Sequence, residues 1–508
     1  MRLSQLLEGL EVLERTGAGA DPEVKGLAYD SRKAGPGCVF VALRGLSLDG
    51  HQFINEALQR GAAAVVAERL KDLDDETPAV RVKDSREALA LLSSRFYGRP
   101  QDELKLIGIT GTNGKTSTTY ILESILETAG RSPGVIGSIN YRFGGETRPA
   151  LVTTPESLDL MELLREMADH GVTDVAMEVS SHALNQGRIR ECPFQVVVFT
   201  SFSRDHLDYH QDMEDYFQAK SLLFKGPGEG GFSGRGPAVI NLDDPKGTAL
   251  AGLCSRPVLT YGLDESRDIR AEDLREGPGG LTAVLRTPEG SCRIESSLIG
   301  RVNIYNILAA AGAALSLGIG LGAVEEGIRR IRGVPGRLER VDNPLGLNLV
   351  VDYAHTPDAL AKVLEALRPL VPGRLITVLG CGGDRDRGKR PEMGFLAGRL
   401  SDLVVVTSDN PRTEDPFQII AQVQEGVRAA GLSRLDSIFA KGEGYLVEPD
   451  RREAIRKAVF AASTEDLVLA AGKGHEDYQI LGTRRIHFDD REELSRAAGE
   501  RAAGESKE

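Results

Sequence analysis

The chain has 508 residues, of which 41% are hydrophobic and 27% charged, with a formal net charge of −13. That length exceeds what one hydrophobic core sustains, so several domains are expected. Acids spread along the chain argue against broad binding to nucleic acid or to anionic membrane.

The five cysteines (Cys38, Cys192, Cys254, Cys292 and Cys381) show no CxxC spacing. This argues against a disulfide framework or a zinc site and fits a reducing cytoplasm. The opening MRLSQLLEGLEVLE carries acids early and has no long apolar stretch, so it does not read as a signal peptide. A first unit, 1–98, mixes apolar strands at Cys38–Leu43 and Ala63–Ala67 with a helix near Phe53–Arg60, and Gly98-Arg99-Pro100 breaks the pattern.

A second unit, 99–335, places strands at Leu104–Thr110, Val172–Val179, Gln195–Thr200 and Ala238–Asn241. Helical stretches lie between them at Thr116–Ala129, Leu158–His170 and Met213–Phe224. This alternation predicts an α/β fold with a doubly wound parallel sheet. A Gly-rich loop follows at Gly226–Gly236, then a hairpin over Leu281–Ile294 around Pro288-Glu289-Gly290. Ile307–Val324 is uncharged over the length of a membrane span. Its four glycines make it a buried helix, a turn and the start of another helix, so no membrane segment is expected. The third unit, 336–508, has strands at Leu347–Val351, Leu375–Leu379, Leu403–Thr407 and Leu467–Ala471, each running into a polar or Gly-rich loop. Ligands bind beyond the carboxyl ends of such strands. Ala497–Glu508, small and charged, is expected to be disordered.

The segment LKLIGITGTNGKTSTT joins an apolar strand, a Gly-rich turn, Lys-Thr and a helix. Backbone N–H groups of Gly111, Thr112, Asn113 and Gly114 and the helix start at Lys115, Thr116 and Ser117 would cradle phosphates. Lys115 would reach the outer phosphates and Thr116 would ligate Mg²⁺. The usual GxxxxGK[ST] spacing is not met, because Ile109 stands where the first Gly belongs. No guanine-reading NKxD follows, which points away from a GTPase.

The string TGTNGKT resembles the Mur ligase family, which extends the peptide of the bacterial cell-wall precursor. The resemblance continues in order along nearly the whole chain: DSR at Asp30–Arg32, TTP at Thr153–Pro155, EVSSHAL at Glu178–Leu184, SRDHLDYH at Ser203–His210, GRVNIYN at Gly300–Asn306, PGRLE at Pro335–Glu339, DYAHTPDAL at Asp352–Leu360, GGDRDRGKRP at Gly382–Pro391, DNPR at Asp409–Arg412 and GKGHE at Gly472–Glu476. It implies three domains: one for a UDP-substrate, a central P-loop-type ATPase domain, and a C-terminal Rossmann-like domain that brings the amino acid. It also implies an ATP-dependent ligation through an acyl phosphate. There an anionic carboxylate must approach an anionic γ-phosphate, and metals and cations must neutralise both.

Glu178 ends a buried strand, where an unpaired carboxylate is costly, and a Mg²⁺-ligand role resolves that cost. By the family pattern His206 is a ligand of a second Mg²⁺, while His210 is read as structural. Lys220 looks bland on its helix; only the resemblance makes it a carbamylated, N6-carboxylysine Mg²⁺ ligand. The family pattern further gives Asn303 to adenine, with Asn306 close by, Arg337 to the γ-phosphate and Asp352 to the ribose or phosphate region. His355 is read as near the nucleotide or merely in a turn. Ser31, His51 and Gln52 are assigned to the UDP part, and Thr153, Thr154, Ser180, Gln186 and Arg188 to the muramoyl-peptide part.

Arg412 decides which amino acid is added. Diaminopimelate has a distal carboxylate that L-lysine lacks, and an Arg fork binds a carboxylate with two parallel hydrogen bonds. Glu476 can accept from the distal ammonium and Arg385 can help hold a carboxylate, with Asp409, Asn410 and Gly472 completing the pocket. The implied substrates are UDP-N-acetylmuramoyl-L-alanyl-D-glutamate (UDP-MurNAc-L-Ala-D-Glu), meso-diaminopimelate and ATP, acted on by a cytoplasmic monomer.

Overall fold

The computed structural model describes residues 1–505 except 18, 46–47, 72, 233, 235 and 438–441. Three β-sheets follow one another along the chain, and a separate hairpin stands near the end. The first sheet runs Val12–Arg15, Ala79–Val82, Ala64–Ala67, Cys38–Val41, Gly26–Ala28, all parallel except the Val12–Arg15 edge. Cys38–Val41 and Ala64–Ala67 are buried on both faces, which is why they read as unbroken apolar runs.

The central sheet has eleven strands. Its middle is parallel, in the order Val258–Gly262, Ala238–Asn241, Val196–Phe199, Lys105–Thr110, Asp174–Glu178, Pro133–Ile136. Antiparallel pairing extends both ends, with Ile269–Gly277 still parallel to Val258–Gly262. Asn140–Phe143 and Glu146–Pro149 lie on one side; Ile269–Gly277 joins Gly280–Thr287 and Gly290–Ser296 on the other. The hairpin expected around Pro288-Glu289-Gly290 is the last of these pairs; the Asn140–Pro149 ribbon was not read from sequence. Chain order reverses direction on either side of Lys105–Thr110, so the carboxyl end of that strand is a topological switch point, the usual place for a ligand crevice. The uncharged run divides into the helices Val302–Ser316 and Leu321–Arg330, and the first is buried over most of its length. Within 226–236, Pro227–Glu229 forms a short 3-10 turn, and residues 233 and 235 lie outside the described residues.

The third sheet orders Glu339–Arg340, Asn348–Asp352, Leu467–Ala471, Leu375–Leu379, Leu403–Val406, Gly444–Val447, parallel apart from the first. The carboxyl ends of four of these strands therefore bring Asp352, Gly472, Gly380 and Thr407 to one edge. The expected disorder at Ala497–Glu508 is not observed through residue 505. Asp490–Glu505 is a helix. Leu494, Ala497 and Ala498 pack against the third sheet, and Arg451 and Asp490, both without exposed side-chain surface, pair at 2.6 Å. The composition of the segment hid a one-faced Ala/Leu stripe, which is enough to dock a helix. Residues 506–508 lie outside the described residues.

Side chains tie the units together. Tyr29 donates to Asp159 Oδ2 (2.5 Å), and Arg86 donates to Glu156 Oε2 (2.7 Å). At the start of the third unit, Gly336 has φ 65°, and its carbonyl accepts from the Tyr353 N–H at 2.9 Å. A Cβ there would stand 2.1 Å from the His475 nitrogen, so only glycine fits.

Candidate functional site

A cavity of about 470 Å³ opens at the switch point. The turn Thr112–Gly114 and the first residues of the helix Lys115–Thr128 form its floor. The turn depends on glycine at two positions. Gly111 has φ 149°, and a Cβ would meet Thr200 Oγ1 at 2.0 Å; Gly114 has φ 89°, and a Cβ would meet Asn306 Oδ1 at 2.5 Å. Thr200 Oγ1 and the Ser201 hydroxyl both donate to the Asn113 carbonyl, which pins the turn to the neighbouring strand. Lys115 Nζ folds back onto the carbonyls of Gly111 and Thr112, 2.9 Å from each. Burial lowers its pKa. The helix N-terminus and the backbone N–H groups make this floor an anion cradle.

Thr116, Ser117 and Glu178 line the same cavity. Glu178, 1% exposed, accepts from the Ser138 N–H (3.0 Å) and hydroxyl (2.9 Å), which leaves further lone pairs directed at the cavity side. Among the described residues, no three His, Cys, Asp or Glu side chains gather to hold a metal. A hydroxyl and one carboxylate beside a phosphate cradle nevertheless suit Mg²⁺, which keeps waters and takes oxygen from substrate phosphates. His206 and Lys220 are not on the cavity wall. His206 has φ 54°, its Nε2 lies 3.6 Å from Asp205 Oδ2, and burial lowers its pKa. Lys220, 1% exposed, donates to the Gly111 carbonyl at 2.8 Å and sits over the Tyr216 ring. Burial first, then Lys115, drives its pKa well below the usual lysine value. His210 bonds to Ser181 Oγ and Asp215 inside the protein, a structural arrangement.

The far wall comes from the third unit. Arg337, Asp352, Ala354, Ala359 and Lys362 face the cavity, and Asn303 and Asn306 close its side. Asn303 Nδ2 donates to the Ile299 carbonyl and Asn306 Nδ2 to Asn303 Oδ1, so an amide ladder presents a fixed polar edge. The Asp352 carboxylate accepts from the N–H groups of Leu338 (2.7 Å) and Ala354 (2.8 Å); it shapes the wall as well as facing the cavity. The Arg337 guanidinium stacks over Tyr353 at 4.7 Å, and its Nε has no partner. His355 Nδ1 lies 2.8 Å from the Tyr353 carbonyl. Sequence reading missed Lys362, Asp358, Asp243, Asp244 and Tyr305. Asp358 Oδ2 accepts from Ser203 Oγ (2.7 Å), Asn113 Nδ2 (3.3 Å) and Lys362 Nζ (2.9 Å), which joins the third unit to the phosphate turn. Its only sequence signal was its place at the helix start after His355-Thr356-Pro357.

The amino-acid set converges at the edge of the third sheet. Asn410 Nδ2 donates to Glu476 Oε2 at 2.8 Å, Gly472 (φ 111°) lies beside Asp409, and burial raises the Glu476 pKa. Arg412 is held at φ 51°. Its N–H donates to the Ile480 carbonyl and its carbonyl accepts from Gly482, both in the hairpin Tyr478–Leu481 and Arg484–His487, while Nη1 donates to the Gly383 carbonyl. Arg385 is exposed beside Gly382. Lys473, fully buried at the centre, was not singled out from sequence.

The set assigned to the UDP-sugar peptide divides. Thr153 Oγ1 bonds Ser138 Oγ (3.0 Å), Thr154 Oγ1 donates to the Glu178 carbonyl (2.8 Å) and accepts from the Ser180 N–H (3.0 Å), and Arg188 bonds the Thr154 carbonyl and Gln186 Oε1. These residues form one hydrogen-bonded network that reaches Ser138 and Glu178 on the cavity wall. Ser31, His51 and Gln52 lie in the first unit. Ser31 donates to Glu56, both His51 ring nitrogens are engaged by Asp49 and the Glu68 N–H, and Gln52 is exposed.

Among the described residues no helix is long and apolar enough to cross a membrane. Three family signatures match in chain order: the Mur ligase family catalytic domain over 23–97, the Mur ligase middle domain over 109–314, and the Mur ligase glutamate ligase domain over 336–474. A UDP-N-acetylmuramoyl-L-alanyl-D-glutamate–2,6-diaminopimelate ligase of Geobacter metallireducens is 48% identical over 502 residues, covering 98% of each chain. One of the same name from Geobacillus thermodenitrificans is 46% identical over 95% of this chain and 96% of its own. A solved structure of a ligase of that name superposes with TM-score 0.71 at 33% identity, covering 99% of both chains. With similarity running end to end and every signature in order, the chain belongs to the Mur ligase family.

Proposed function

We propose that this enzyme joins meso-2,6-diaminopimelate to the D-Glu carboxylate of UDP-N-acetylmuramoyl-L-alanyl-D-glutamate, with ATP cleaved to ADP and phosphate. The observation that carries the reading is a cavity bounded by the phosphate turn on one side and by Arg337, Asp352 and Lys362 of the third unit on the other; the same unit holds the Arg412–Glu476 cluster. Residues 1–98, 99–335 and 336–508 are the UDP-substrate, ATP and amino-acid domains. Gly111–Ser117 cradle the phosphates, Asn303 and Asn306 present amides to adenine, as suits a base edge, and Arg337 with Asp352 faces the outer phosphates and ribose.

Thr116, Glu178, His206 and carbamylated Lys220 would hold Mg²⁺, which when bound neutralises charge on the transferring phosphate. Lys115 adds a cation at the same place. The carboxylate attacks the γ-phosphorus, ADP leaves, and the amine then attacks the acyl carbon; phosphate departs from the tetrahedral intermediate and the amine loses a proton. Ser31, His51 and Gln52 take the UDP part, Thr153, Thr154, Ser180, Gln186 and Arg188 the muramoyl peptide. Arg412, with Arg385, Asp409, Asn410, Gly472 and Glu476, selects the amino acid. In this reading the enzyme acts in the cytoplasm as a monomer.

The test is phosphate release from ATP with UDP-MurNAc-L-Ala-D-Glu, with and without diaminopimelate, and with L-lysine in its place. Steady turnover only with all three substrates and Mg²⁺, and little with lysine, is expected. Equal turnover with lysine, or none with diaminopimelate, would overturn the reading.

A further inference from the structure

We infer that Lys473 is a positioning residue for the amine substrate: its buried ammonium holds Asn410 and Glu476 in the orientation that receives the diamino acid, and it sets the charge of that pocket. The inference rests on the proposed reading of this cluster as the amino-acid site.

Lys473 has no exposed surface. Its Nζ lies 3.4 Å from Asp409 Oδ1, 3.4 Å from Asn410 Oδ1 and 3.3 Å from Glu476 Oε2, with the Tyr478 ring 5.5 Å away. An ammonium has three donors, and these three acceptors use all of them. A buried charge is tolerated only when paired and bonded in this way.

The consequence for Asn410 is directional. Its Oδ1 also accepts from the Ile480 N–H at 2.9 Å, and its Nδ2 donates to Glu476 Oε2 at 2.8 Å. With two donors on its oxygen, the amide cannot flip without facing them with its NH₂. Lys473 and Asn410 both donate to Oε2 of Glu476, so Oε1 is not used by either of them. Orientation by such a buried network is how a binding group is preorganised.

Charge matters here as well as orientation. Lys473 offsets one of the two carboxylates of Asp409 and Glu476; Arg451, paired with Asp490, also acts on both carboxylates, and Arg412 and Arg385 belong to the same proposed pocket. Removing the Lys473 ammonium makes the cluster one charge more negative.

The test uses full-length Lys473→Met and Lys473→Gln, the second keeping an amide that can still bond Asn410. The KM for diaminopimelate is expected to rise at least about tenfold, while the KM values for ATP and UDP-MurNAc-L-Ala-D-Glu stay within about twofold. ADP formed in a single turnover without amine, read by rapid quench, is expected to remain at the wild-type level. A wild-type KM for diaminopimelate in either variant overturns the inference. So does loss of the amine-free turnover in both variants, because the lysine would then be holding the fold. Wild-type enzyme that does not use diaminopimelate overturns the functional reading instead.

Discussion

The ammonium groups of Lys115 and Lys220 meet on one carbonyl oxygen, that of Gly111, at 2.9 and 2.8 Å. Two like charges on one acceptor repel each other, and burial lowers the pKa of both lysines, that of Lys220 further. Burial and its neighbour favour the free amine, and the free amine is the form that adds CO₂. In ¹³C-bicarbonate a carbamate resonance is expected in the wild type and not in Lys220→Ala, whose turnover falls by at least about 10². A variant with near-wild-type turnover would remove Lys220 from the mechanism.

The same burial makes a stability prediction for bicarbonate-free enzyme. Lys220 has its pKa lowered in the folded state and near 10.5 when unfolded. Between those two values the unfolded chain binds a proton that the folded chain does not, so this residue's contribution to stability rises with pH. Lys220→Met lacks that slope. Its melting temperature is expected to exceed the wild type's at neutral pH, with the gap closing as pH approaches 10.5. A gap that widens with pH, in thermal scans across this range, would contradict the assignment.

Arg412 tests the choice of amine. Its guanidinium keeps donors free beyond the single bond to the Gly383 carbonyl. Arg412→Ala is expected to lose about 1.5–3 kcal/mol of charge-assisted bonding, or about 10- to 150-fold in kcat/KM for diaminopimelate. Steady-state kinetics with an unchanged kcat/KM would refute it.

Asp358 tests the junction between the third unit and the phosphate turn. It is partly exposed, so its bonds to Ser203, Asn113 and Lys362 are discounted for solvent. Asp358→Ala is expected to raise the KM for ATP about fivefold, corresponding to about 1 kcal/mol, with the KM for the amine little changed. Isothermal titration of ADP provides the check, and equal affinity in both proteins would count against the junction.

Asp490→Ala leaves the Arg451 guanidinium buried without its partner. Removing one member of a buried pair costs about 3–5 kcal/mol. Urea unfolding followed by circular dichroism is expected to show the third unit losing that much stability, while a shift near zero would mean Arg451 has another anion.

How far this was legible in the sequence differs by region. The parallel strands were readable because both faces are buried, giving apolar runs such as Val196–Phe199 and Leu403–Val406. The Asn140–Pro149 ribbon was not, because Asn140–Arg142 are half-buried and Glu146–Pro149 mostly exposed, so no apolar face alternates with a polar one. The helix at Asp490–Glu505 was missed because its buried stripe is short and surrounded by charge. The phosphate turn was visible from local chemistry alone. Lys473 and Asp358 were not, although they fall inside the GKGHE and DYAHTPDAL strings, since the partners that show what they do lie 64 and 155 residues away in sequence.

Gly336 has a consequence for motion. Its α-carbon rests against Gly474 and His475, and its carbonyl is tied to Tyr353. The residue that begins the third unit is thereby fastened to the loop bearing Lys473 and Glu476. Val334 packs in the core of the central unit and its carbonyl accepts from the Arg337 N–H, so a swivel between the central and third units turns on the short link around Pro335. The proposed amine pocket then travels with Gly336 as one lever, and its distance from the phosphate turn is set by the torsions of that link.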